Sequence, residues 1–192
     1  MQKDRLTAFT DGVVAIIITI MVLELKVPHG AGLADLLPVL PVFLSYILSF
    51  VYVAIYWNNH HHLLHMAARV NGAILWANMN LLFWLSLVPF TTAWMGENRF
   101  ASVPTGIYGV SLLMPAIAYY LLQWAILRDQ GPHGALAKAL GRDIKGKVSM
   151  VLYIAAITAS FFMPWVSHAL YVAVALWWLI PDRRIERTLT IS

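Results

Sequence analysis

Apolar runs separated by short polar stretches divide the chain into six segments, at about 7–25, 37–57, 70–94, 103–127, 148–163 and 166–180. The first four are long enough for a helix across a hydrocarbon core of about 30 Å, and the last two are shorter. Between them fall the Gly- and Pro-containing stretch 26–36, a polar cluster (Asn58, Asn59, His60, His61, His62, His65), the loop 96–102 and the polar segment 128–147. Pro164 and Trp165 join the last two segments into a tight helical hairpin, and Pro115 predicts a kink in the fourth. Asn71, Asn78 and Asn80 lie in the third segment, which should therefore face protein rather than lipid. The pattern predicts an all-α membrane protein with six transmembrane helices per protomer. No repeat or linker divides it, so residues 1–192 form a single domain.

Composition supports a membrane protein. The 192 residues are 60% hydrophobic and 11% charged, with mean hydropathy +0.72, which excludes an ordinary soluble globular domain. Without cysteine there is no disulfide, thiolate metal site or thiol nucleophile. The net charge of +4 belongs to loops and gives no nucleic-acid signal. With a cytosolic N-terminus, Lys3, Arg5, Arg69, Arg128, Lys138, Arg142, Lys145, Lys147, Arg183, Arg184 and Arg187 fall inside, against Lys26 and Arg99 outside. That asymmetry places both termini in the cytosol. Lys3 and Arg5 before an apolar run suggest a secretory signal, but the run is long for one, carries Asp11 and has no small-residue cleavage pattern after it.

Asp11 is the anomaly of the first segment. A carboxylate costs roughly 2.5–3.5 kcal/mol at a bilayer centre and less near an interface, so it needs a partner, water or the positive end of its helix dipole. Ile16, Ile20 and Leu23 follow at i, i+4 and i+7, with Gly12 extending the same face and Thr19 beside it. By periodicity such a stripe is ordinary helix packing, and a threonine there bonds back to its own preceding turn. His61 and His65 share a helical face, yet no Cys, Asp or Glu lies near them in sequence, so no metal site is expected. No pair of groups suited to catalysis lies within the spans, which argues against an enzyme. An Asp11–histidine relay leaves a proton-coupled transporter as the alternative.

Arg5, Phe9, Thr10 and Asp11 match R-x-x-x-F-S-D with Thr for Ser, and G-x-x-A-I-x-x-T-x-x-x-L-E-L follows at 12–25. This stretch resembles the first helix of prokaryotic relatives of the endolysosomal potassium channel, transmembrane protein 175. The Y-W-N-N-H-H segment at 56–61 and Pro89-Phe90 resemble the family more loosely. The resemblance implies a potassium channel in a prokaryotic cell membrane, with potassium as permeant ion and no cofactor. It implies a homotetramer, surrounded by lipid, whose first helices line a central pore. Ile16, Ile20 and Leu23 fall on the family's hydrophobic constrictions, and Thr19 would add a polar layer. Apolar rings can gate by dewetting and strip part of an ion's hydration, which favours potassium over sodium only modestly. His60 is expected beside Arg5, Thr10 and Asp11, pinning helices by hydrogen bonds.

Overall fold

The computed structural model describes residues 3–131, 134, 136–137 and 143–179. The end of the last predicted segment at Ile180, and Lys138, Arg142, Arg183, Arg184 and Arg187, lie outside the described residues. Every regular element among the described residues is helical.

Helix α1 spans Lys3–Leu23 and begins four residues before the apolar run, because its polar first turn continues the same helix. Its end is followed by a loop whose Asp35 carboxylate accepts from the Gly32 N–H at 2.9 Å, opening a 3-10 turn over Leu33–Val39. Helix α2 then runs Leu40–Met66. It carries the whole histidine cluster in its last turns, where the sequence reading ended the span near Trp57. The polar residues there do not break the helix, since nothing in Asn-Asn-His-His-His locks the backbone as Gly or Pro would.

The third predicted segment is two helices. Helix α3 (Gly72–Ser86) is capped by the Asn71 side chain, which accepts from Ile74 N–H at 2.9 Å, and α4 covers Val88–Glu97. Leu87 separates them, with Pro89 in the first turn of α4, where its missing N–H costs nothing. Helix α5 (Ser102–Gln130) stays helical across Pro115. Helices α6 (Ile144–Ser160) and α7 (Pro164–Leu179) form the hairpin, and α6 is capped by Asp143, whose carboxylate accepts from Gly146 N–H at 3.2 Å.

Four helical stretches, Lys3–Leu23, Leu33–Met66, Gly72–Glu97 and Ser102–Gln130, are long and apolar enough to cross a membrane, and Pro164–Leu179 is a shorter apolar helix. The protomer has two cores. One gathers α1, α3, the later turns of α2 and of α5 around Leu6, Val14, Ile74 and Leu122; the other joins α2, α5 and the α6–α7 hairpin around Tyr52, Tyr108, Tyr153 and Tyr171. Lipid tails solvate leucine as well as protein does, so close fit rather than water exclusion holds such cores. Glycine supplies that fit at Gly96 and Gly109. A Cβ on Gly96 would lie 2.6 Å from the Val42 Cα, and one on Gly109 would lie 2.6 Å from the Ile157 Cγ1.

Polar clamps fix the connections. Arg69 grips Asp129 through Nε and Nη2 at 3.0–3.2 Å, and Asn71 donates to the same carboxylate at 2.9 Å. Lys3 donates to the carbonyls of His65 and Ala67 at 3.1 and 3.4 Å, bringing the start of α1 to the α2–α3 connection. At the other end Lys26 pairs with Glu97 at 2.5 Å, and that carboxylate raises the Lys26 pKa above its ordinary value.

Candidate functional site: the two faces of α1

Leu6, Thr10, Val14, Ile17 and Met21 recur at three- and four-residue spacing and are all buried. This face is consumed in holding α1 against α2, α3 and α4. About a third of a turn away the stripe Ile16, Ile20 and Leu23 is open, with Ile16 58% and Leu23 80% exposed. Gly12, on the same side, has open space where a Cβ would stand. Thr19 is exposed too, and its hydroxyl lies 3.1 Å from the Ala15 carbonyl and 2.9 Å from that of Ile16. The back-bond to the preceding turn is therefore present, while the side chain still faces outward. Between α1 and the α3–α4 break lies a groove of about 460 Å³, lined by Ile16, Ile20, Glu24, Ser86, Pro89 and Phe90.

The polar residues of the first helix divide between two arrangements. Thr10 is buried and accepts from Asn78 Nδ2 at 3.0 Å, while Asn78 Oδ1 meets His60 Nε2 at 2.6 Å. An amide oxygen can only accept, so the His60 proton resides on Nε2, leaving Nδ1 buried without a partner. This chain ties α1, α3 and α2 together. Asp11 does not join it. Its Oδ1 accepts from Trp57 Nε1 at 2.8 Å, at the edge of a polar groove of about 300 Å³ shared with Lys3, Asp4, Thr7, His61 and His65.

Arg5 is exposed and makes no side-chain hydrogen bond or ion pair among the described residues, and Phe9 is exposed as well. Within the single chain the contacts made are Thr10–Asn78–His60 and Asp11–Trp57. Sequence reasoning marked Asn78 as needing a partner but did not name it, and quoted Trp57 in the Y-W-N-N-H-H segment without giving it a role. The only signal for Trp57 was its place beside the asparagine and histidine run. His61 and His65 stack edge to face with ring centroids 5.0 Å apart, and the described residues hold no group of three His, Asp or Glu arranged for a metal ion.

Comparison with known proteins follows the same helices. The profile of the endosomal/lysosomal potassium channel family TMEM175 matches residues 5–89. A potassium channel of Chryseobacterium sp. (strain P1-3) is 54% identical over 98% of both chains. One from Streptomyces collinus is 33% identical over 66% of both. The crystal structure of a lysosomal potassium-selective channel TMEM175 homolog from Chamaesiphon minutus superposes with a TM-score of 0.80 at 31% identity, covering 93% of this chain and 96% of that one.

Proposed function

The chain belongs to the TMEM175 potassium channel family, and from that premise we propose that residues 1–192 form one six-crossing channel domain that assembles as a homotetramer around its four copies of α1. The observation that carries this reading is the division of α1: one face is consumed by the protomer, while Ile16, Ile20 and Leu23 remain uncovered. One helix cannot enclose a path, and closed cyclic symmetry is the simple way to bring identical stripes to one axis. Both termini lie in the cytosol of a prokaryotic cell, and the surrounding lipid is that of the cell membrane.

In this arrangement each apolar side chain becomes a ring. A narrow apolar ring offers an ion no ligand to replace lost water, so passage costs the part of the hydration shell that does not fit. Potassium holds its shell more loosely than sodium and crosses at lower cost, with modest selectivity. Thr19 supplies a polar layer between the Ile16 and Leu23 levels. The Thr10–Asn78–His60 and Asp11–Trp57 contacts stand behind this helix and hold its rotation, and so determine which residues face the axis. Asp11 bonds to an indole, Trp57, rather than directly to an imidazole.

Liposomes loaded with potassium and carrying the purified protein test the reading. A channel gives potassium flux down its own gradient and a reversal potential set by potassium, with a smaller sodium permeability. Flux that requires a second, proton gradient would replace it with a coupled transporter.

A further inference from the structure

A second open groove lies away from α1, between α2 and α7. It is about 490 Å³ and almost wholly apolar, with Leu44, Leu48, Val51, Val172 and Leu176 along its walls and Phe100 and His168 among its lining. From His168 to Leu179 the groove follows α7 for roughly 16 Å at helical rise, close to the length of an acyl chain. Its polar end is built with care. His168 Nε2 lies 3.3 Å from Thr105 Oγ1, and the Phe100 ring stands edge-on to the imidazole at 5.0 Å. Phe100 reaches that position through two successive non-glycine residues at positive φ, Arg99 at 49° and Phe100 at 61°. L side chains rarely adopt this conformation, and it occurs at the exposed Arg99, next in sequence to the groove-lining Phe100.

Charge selects the occupant. Two basic residues stand at this end of the bundle, and Lys26 is already paired with Glu97. Arg99 has no side-chain hydrogen bond or ion pair among the described residues. A guanidinium at headgroup depth above an acyl-length apolar groove complements an anionic phospholipid, with its phosphate at Arg99 and one chain along α7. We infer that the α2–α7 groove is a binding site for an anionic glycerophospholipid, seated by Arg99. The groove uses the first half of α2 and the histidine cluster its last turns, and the inference does not depend on what passes along α1.

The cysteine-free chain makes a direct test practical. Val172→Cys carries a small fluorophore in the assembled protein, in phosphatidylcholine liposomes that contain trace spin-labelled phosphatidylglycerol or spin-labelled phosphatidylcholine. The expected result is preferential quenching by phosphatidylglycerol of about fivefold, the equilibrium worth of one cation at an anionic surface. Arg99→Gln should abolish that preference while leaving potassium flux unchanged. Leu176→Cys, lower in the same groove, repeats the measurement should the first label perturb folding. Equal quenching by the two lipids at both positions, or a preference that survives Arg99→Gln, would overturn the assignment.

Discussion

Ile16 is more than half exposed, beside a buried Ile17. Ile16→Asn should therefore leave folding intact and wet the proposed Ile16 ring, lowering the barrier for sodium more than for potassium. Bi-ionic recordings should show selectivity falling while conduction persists, and Leu176→Asn on α7 should leave the reversal potential unchanged. An unaltered potassium-to-sodium ratio in Ile16→Asn would move the filter to Thr19 or Ile20. Asn78 is the reverse case, fully buried between Thr10 and His60. Asn78→Leu strips both partners, and each buried polar atom left alone costs roughly 1–3 kcal/mol. A marked fall in the unfolding midpoint in detergent is the expected readout. Asp11→Asn should be milder than a broken buried ion pair, because an amide oxygen can still accept from Trp57 and only the charge assistance, on the order of 1 kcal/mol, is lost. An Asp11→Asn protein less stable than Asn78→Leu would reverse that ranking.

Element by element, the helical segments and their order are legible in hydropathy alone, because a run of apolar residues long enough to cross a bilayer has few other fates. Their ends are less so. The sequence reading closed α2 near Trp57, whereas the helix continues through His65, since polarity at a helix end signals depth in the membrane rather than backbone breakage. It read α3 and α4 as one segment, and Gly72–Glu97 is one membrane-length stretch interrupted at Leu87. Thr10 and His60 could be named from their motif, but the partner of Asp11 could not. That contact joins residues 46 apart, and its geometry depends on how α1 and α2 rotate against each other. Helix spacing itself is set by small residues, and Gly109→Ala should push α5 from Ile157 and Tyr171 at a cost of about 1–3 kcal/mol. Loss of thermal stability with unchanged ion selectivity would place that damage in the α6–α7 hairpin, away from α1.

At the scale of the whole molecule, the absence of native cysteine lets single probes report orientation and the proximity of chains. Cysteines at Asn98 and His29, both exposed, should react only with an impermeant reagent added from outside the cell. Labelling from the cytosolic side alone would invert the topology. Cysteine at Leu23, one thiol per chain, should cross-link chains in pairs, while cysteine at Leu176 should not. A mass of two chains rather than four for the purified protein in detergent would replace the tetramer with a dimer.

The separation of labour on α1 also has a genetic reading. Because the outward stripe is largely uncovered in the single chain, a variant there should be synthesised, inserted and recruited much as its parent is. Two alleles expressed in one cell would mix freely, and a single defective copy would sit in the same ring as sound ones. Stripe substitutions should thus behave as dominant alleles, whereas damage to Leu6, Thr10, Val14, Ile17 or Met21 removes the chain before it can join and should be recessive.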